Sequence, residues 1–255
     1  MQSEVWKTEP EWFKSWFNSE AYHVLYGHRS EHEAAMLVSR LGQLPAFESP
    51  AALLDAGCGA GRHARAWAEL GWEVSAFDLS PASIERAQNR SEHPSPTFRI
   101  LDLRELSSVE EWEGKFDVVT NFFTSLGYFQ KRQDQTDVLS GFHHALKADG
   151  WLLIDYLNLD HVESHLISEE STTRGNVEFL IHRRIHEGWI EKSIQFEWEG
   201  AWQHHVERVQ ALSYSDFKSM LSNHGFAIQQ SWGNYELKPR TVDSPRCIIL
   251  AQKIN

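Results

Sequence analysis

The stretch LLDAGCGAGRHA, residues 53–64, sets three glycines, Gly57, Gly59 and Gly61, between an apolar run ending in Asp55 and a segment of helical character. A strand that ends in such a loop lets bare backbone approach a ligand, because glycine adopts positive φ and carries no side chain. Spacing decides which ligand. A P-loop continues with Lys and Ser/Thr after its last glycine, but Arg62 and His63 stand there. A dinucleotide fingerprint needs its third glycine at position 62, which is Arg62. Asp55, just before the loop, would repel a pyrophosphate. A ligand with no phosphate, a free amino group and a ribose fits better.

Working outward, apolar runs of strand length alternate with helical stretches: AALLDAG (51–57), WEVSAFD (72–78), TFRILD (97–102), FDVVTNFF (116–123) and WLLIDYL (151–157). This alternation predicts right-handed crossovers and a doubly wound, mostly parallel α/β sheet with helices on both faces. FAIQQSW (226–232) and RCIILAQK (246–253) complete seven strands. The carboxyl ends of parallel strands open on one crevice. Asp78 closes the second strand, where a carboxylate can accept from ribose hydroxyls. Asp102 closes the third, where it can accept from the exocyclic amine of adenine.

Two further regions frame the sheet within a single domain, 1–255. Residues 1–45 read as a helical cap, with Trp12/Trp16 and Phe13/Phe17 at i, i+4 spacing and a second helix over Glu31 to Leu41. Residues 160–212 read as an antiparallel insertion after the fifth strand, built from runs 176–186, 189–199 and 202–212. Glu187-Gly188 and Gly200-Ala201 are its predicted turns.

The formal net charge of −12 argues against a nucleic-acid partner, whose phosphates call for clustered Lys and Arg. No apolar run approaches the roughly 20 residues of a membrane helix. The amino terminus lacks the basic start and apolar core of a signal peptide, so a cytoplasmic location without membrane association is expected. Two cysteines, Cys58 in the loop and Cys247 in the last strand, are not expected to pair.

The segments LLDAGCGAGRHA, FDLS, ILDLRE, FDVVTNFFTSLGYF, LKADGWLLIDYLN and DSPRCIILAQK together resemble the class I S-adenosylmethionine-dependent methyltransferases, in their small-molecule branch of amino-sugar and glycine N-methyltransferases. That resemblance implies the Rossmann-like methyltransferase fold, S-adenosylmethionine as cofactor and a small-molecule acceptor. It also implies that Gly57, Cys58 and Gly59 line the methionine portion, with Asp55 near its amino group. Asp78 and Leu79 take the ribose, Asp102 and Leu103 the adenine, and Asn121 sits by the sulfonium. Tyr22 and Arg29 lie in a segment that folds over the cofactor, and Arg29 would pair with its carboxylate.

Methyl transfer from a sulfonium requires in-line approach and exclusion of water, with no covalent intermediate and no metal. Neither His143-His144 nor His204-His205 makes a metal site, because adjacent residues point apart. An ammonium nucleophile must lose a proton, and Tyr128 is the candidate catalytic group. Tyr26, Tyr128, Tyr156 and Asn158 are the candidate acceptor-binding residues. Trp12, Trp16, Tyr22 and Tyr26 also read as a helix packing face, and Arg183-Arg184 as solvated strand positions. Nitrogen and oxygen acceptors are not distinguished. The rival function is a catalytically inactive S-adenosylmethionine-binding regulatory protein; a dehydrogenase is disfavoured by Arg62.

Overall fold

In the computed structural model of the chain, residues 6–27, 30–47, 51–90 and 96–254 are described. Helices α1 (Trp12–Trp16), α2 (Glu20–Tyr26) and α3 (Glu31–Leu41) come first. Strands β1 (Ala52–Ala56), β2 (Glu73–Asp78), β3 (Thr97–Ile100), β4 (Phe116–Asn121) and β5 (Leu146–Leu157) follow, with α4 (Arg62–Glu69), α5 (Pro81–Asn89) and α6 (Arg132–Ala145) among their connections. Next come α7 (Leu159–His165) and four strands, β6 (Glu169–Arg174), β7 (Val177–His186), β8 (Trp189–Trp198) and β9 (Ala201–Gln210). The chain ends with α8 (Tyr214–Asn223), β10 (Phe226–Trp232) and β11 (Arg246–Lys253).

The main sheet has the order β10-β11-β5-β4-β1-β2-β3. Strands β1 to β5 pair in parallel, while β11 runs antiparallel to both β5 and β10. Strand order reverses between β1 and β4, which is where such sheets open their crevice. Alternate residues feed two cores, as a pleated strand requires. Leu53, Val118, Leu153 and Ile248 pack with Leu37, Trp67 and Ile84 on one face. Leu54, Val119, Ile154 and Ile249 pack with Leu139, Phe142 and Phe217 on the other. Each such side chain, fully buried, is worth roughly 1.5–3 kcal/mol, so the scaffold around the crevice is firmly held.

The expected seven-stranded doubly wound sheet is therefore present, and two details are corrected. The insertion has four strands rather than three. Its extra strand, β6, is EESTTR, largely exposed and without the apolar alternation that marks a strand in sequence. The second turn is Glu199-Gly200, one residue earlier than read. Both residues have positive φ (52° and 80°), as do Glu187 and Gly188 (48° and 78°), and this is the twist that two-residue hairpins favour.

One face of this second sheet meets α1 and α2. The Trp16 ring stacks on His205 at 4.4 Å, and its Nε1 donates to Glu207 at 2.7 Å. The Tyr26 hydroxyl donates to the same carboxylate at 2.8 Å and receives Lys192 Nζ at 2.5 Å. On the other face Glu191, almost wholly buried, accepts from Arg184 Nε at 2.6 Å and pairs with Arg208 Nε at 2.9 Å. Trp6 lies against the first of these guanidiniums and Trp189 against the second. Arg184 is thus both paired and part-exposed.

Candidate active site

The glycine loop leaves β1 as three left-handed glycines, with φ of +74°, +55° and +76° at Gly57, Gly59 and Gly61. The amides of Gly57 and Cys58 both donate to the Phe77 carbonyl at 2.9 Å, which fixes the loop to the end of β2. At Gly61 a Cβ would come within 2.7 Å of the Phe98 ring, so the fold itself demands glycine there. Around Gly59 a Cβ would meet no atom within 4 Å. Its bareness serves the open space beside it.

A continuous cleft runs past these residues. Its longer part is lined by Phe17, Tyr22 and Tyr26 of the cap, the glycine loop, Arg62, His63, Asp78, Phe123, Ser125 and Tyr128. A narrower end carries Leu79, Leu101, Asp102, Leu103 and Phe129. Gly57, Asp78, Ser125 and Tyr128 belong to both parts. Tyr22, Asp55, Gly57, Cys58, Gly59, Asp78, Leu79, Asp102 and Leu103 therefore converge on one crevice; Asn121 is fully buried and lines neither part, and Arg29 lies outside the described residues.

Polar groups along the cleft have unequal partners. Asp55, 1% exposed, accepts from Thr120 Oγ1 at 3.0 Å through one oxygen, while its other oxygen is buried without a partner. Burial pushes its carboxyl up to about 7; the Thr120 hydrogen bond opposes the shift and the nearby Asp78 charge adds to it. Asn121 Nδ2 donates to the Ala56 carbonyl at 2.7 Å, leaving its buried Oδ1 without a partner. Such orphaned acceptors cost about 1–3 kcal/mol each unless a ligand supplies the donor.

Asp78 accepts from Gly59 N at 2.8 Å and from Ser80 N at 2.9 Å, and burial raises its carboxyl despite both bonds. Asp102 accepts from Arg104 Nε at 2.9 Å and pairs with Nη2 at 2.5 Å. Arg104 reaches on to Glu11 at 2.6 Å and holds that carboxyl down to about 2. Asp102 is thus tied to the cap through Arg104. Cys58 contributes backbone only, since its thiol is buried and raised well above its ordinary value. Both cysteines are free.

The acceptor-side expectations divide. Tyr128 lines both parts of the cleft; its hydroxyl donates to the Phe123 carbonyl at 3.3 Å and its ring packs between Trp12, Phe13 and Phe17. Tyr22 and Tyr26 line the cleft and also pack on each other at 4.9 Å, whereas Trp12 and Trp16 are buried in the packing face and line neither part. Tyr156 is corrected: it is fully buried beside Phe217, and its hydroxyl donates to the Gln210 carbonyl at 2.7 Å. Asn158 is corrected too. Its Nδ2 donates to the carbonyls of Thr241, Val242 and Ser244 at 2.8–3.1 Å, clamping the segment that enters β11. Tyr156 is the penultimate residue of β5 and Asn158 follows its end, where Gln210 and the 241–244 segment cover them. The sequence reading missed Phe17, His63, Phe123 and Ser125 as lining residues, and used Arg62 only to exclude other loops.

Sheet order, crevice and acid placement define a nucleoside-binding α/β transferase. Residues 26–231 match the model of a methyltransferase domain, and the chain belongs to that family. YqeM, a Bacillus subtilis protein provisionally named a methyltransferase, is 26% identical over 211 residues, 79% of this chain and 83% of that one. A Clostridium acetobutylicum S-adenosylmethionine-dependent methyltransferase superposes with a TM-score of 0.76 at 15% identity, covering 91% of this chain and 96% of its own. CalS10, an amino pentose methyltransferase of Micromonospora echinaspora solved with S-adenosylmethionine, gives 0.68 at 18% identity, covering 92% and 97%. At these identities the structural likeness is one of fold. The protein is an S-adenosylmethionine-dependent methyltransferase.

Proposed function

We propose that the protein transfers a methyl group from S-adenosylmethionine to a nitrogen or oxygen of a small-molecule acceptor by in-line displacement. The observation that carries this reading is the pairing of an orphaned buried carboxylate oxygen on Asp55 with the open space at Gly59. A cationic amino group answers the first, and a close-lying aliphatic chain answers the second. Asp78 keeps lone pairs for ribose hydroxyls beyond its two backbone bonds. Asp102, Leu103 and Leu79 form the adenine end. Asn121 offers its unpartnered Oδ1 beside the sulfonium end, and Arg62, whose guanidinium lies 4.2 Å over the Phe123 ring, adds positive charge for the cofactor carboxylate.

The cofactor when bound supplies an electrophilic methyl group. The chain's own contribution is approach geometry and water exclusion. Helices α1 and α2 roof the cleft, and sheet β6–β9 braces them through Glu207 as a lid. Tyr128 is the acceptor-side group and orients the nucleophile or takes its proton. A small acceptor suits a roofed cleft and an acidic chain, and the fold neighbour CalS10 is by its description an amino pentose methyltransferase. The test is calorimetry with S-adenosylmethionine, S-adenosylhomocysteine and NAD, then radiolabelled methyl transfer to panels of small amines and alcohols. Binding of the first two without NAD, followed by label on a small molecule, is expected. Binding of NAD alone would overturn the reading.

A further inference from the structure

Beyond the cleft wall, four parts of the chain converge on one buried acid. Asp155, in the second half of β5, is 0% exposed. One carboxylate oxygen accepts from Arg246 Nε at 2.8 Å and lies 2.8 Å from its Nη2. The other accepts from the Tyr235 hydroxyl at 3.0 Å and the Phe123 amide at 3.3 Å. Its main-chain carbonyl receives the Thr124 amide at 3.1 Å. Phe123 and Thr124 are both left-handed, with φ of +59° and +65°. Non-glycine residues hold such angles only where their surroundings impose them, and consecutive pairs concentrate at functional sites.

We infer that Asp155, charge-balanced by Arg246 and oriented by Tyr235, is a positioning residue that holds the left-handed Phe123-Thr124 turn and thereby sets the cleft wall against the methyl group. The turn follows Asn121 after one residue, Phe122, and delivers Phe123, Ser125 and Tyr128 to the cleft. The Phe123 ring is gripped on two sides, under Arg62 at 4.2 Å and near Arg246 at 5.5 Å, while its carbonyl takes the Tyr128 hydroxyl. Without the Asp155 carboxylate, the strained Phe123 would lose its amide partner and Arg246 the charge that fixes it against the ring, while the Thr124 amide keeps only the main-chain carbonyl. A relaxed turn would withdraw the wall at the sulfonium end and leave the ribose and adenine contacts in place. This gives β11 and the loop before it, remote in sequence, a direct hand in the reaction geometry.

The inference rests on the proposed cofactor placement, and the test separates the two. S-Adenosylmethionine and S-adenosylhomocysteine differ by the methyl group and its charge, so their affinity ratio reads the wall facing that group. Calorimetry with both ligands would be run on the wild type, Asp155→Asn and Tyr235→Phe. The ratio is expected to shift against S-adenosylmethionine by about tenfold or more in Asp155→Asn, tenfold being the lower end of the worth of one charge-assisted hydrogen bond, and by roughly threefold in Tyr235→Phe. A residue that merely stabilised the fold would weaken both ligands by one factor, and an unchanged ratio in folded variants would overturn the inference. Should Asp155→Asn fail to fold, an unchanged ratio in Tyr235→Phe, which keeps the ion pair, overturns it alone. Failure of the wild type to bind either ligand would instead remove the cofactor placement, and this inference with it.

Discussion

Asp55→Asn separates what the cleft costs the fold from what it does for the ligand. An ordinary aspartate titrates near 3.8, and burial lifts this one to about 7. At 1.36 kcal/mol per unit, ionising it in the ligand-free protein costs up to about 4 kcal/mol. Because the folded value lies above the unfolded one, its stabilising contribution is full below about 3.8 and is lost as pH rises through about 7. A bound ammonium reverses the preference by favouring the carboxylate. Affinity for S-adenosylmethionine is therefore expected to climb by up to about tenfold per pH unit on approaching 7 and then to level off. It should turn down only where the ligand's own α-amino group deprotonates, near about 7.7–8.0. Asp55→Asn should stabilise the ligand-free protein at about pH 8, weaken S-adenosylmethionine and flatten its pH profile. Thermal unfolding and calorimetry across that range measure both effects. 5′-Methylthioadenosine, which lacks the amino-acid portion, serves as the control that should stay flat. A flat wild-type profile, together with a destabilised Asp55→Asn protein at high pH, would refute the reasoning.

Three further outcomes are expected. A Cβ at Gly59 would meet no atom within 4 Å and the left-handed φ costs roughly 1–2 kcal/mol, so Gly59→Val should fold yet lose cofactor binding; unchanged affinity in a folded variant would be the contrary result. Asp78→Ala should weaken S-adenosylmethionine and S-adenosylhomocysteine alike, by roughly 1.5–3 kcal/mol for each charge-assisted bond lost, and 2′-deoxy analogues that bind the wild type undiminished would contradict the ribose role. Tyr128→Ala should lower methyl transfer to a working acceptor while sparing cofactor affinity. Tyr128→Phe then tells a proton-carrying phenol, by a large loss, from a ring that shapes the pocket. Equal loss of binding and transfer in Tyr128→Ala would make the residue structural.

The fold was legible because its signals are local. Strand-length apolar runs, Gly57-Gly59-Gly61 and the acids at strand ends need no tertiary knowledge, and β10 and β11 begin and end where the apolar runs do. Exposed β6 carries no apolar period, so nothing in EESTTR marks it. The acceptor side was less legible, for a related reason. Tyr156 and Asn158 sit at a strand end, where sequence logic places site residues, but that end is already covered by Gln210 and the 241–245 segment. Asp155 was passed over inside an apolar run, although an acid at such a position must have a buried partner. That partner, Arg246, is ninety-one residues away, and no periodicity reports so distant a pairing.

Several unfavourable features of this chain meet at one crevice. Asp55 with its orphaned oxygen and raised carboxyl, Asn121 with its unpartnered Oδ1, and the left-handed pair Phe123-Thr124 all lie at the carboxyl ends of β1 and β4. Elsewhere the same strands are apolar on both faces and closely packed. A sequence selected for stability alone would remove such conflicts, so their concentration at one crevice is what a binding site under functional constraint produces. The acids also differ in what they lack. Asp102 and Asp155 are matched by Arg104 and Arg246 within the fold, whereas Asp55 has the Thr120 hydroxyl, the Ala64 amide and the nearby Arg62 charge but no ion pair of its own. A ligand that brings a cation to Asp55 would relieve its burial cost, which supports the proposal that the amino group of the cofactor lies against the glycine loop.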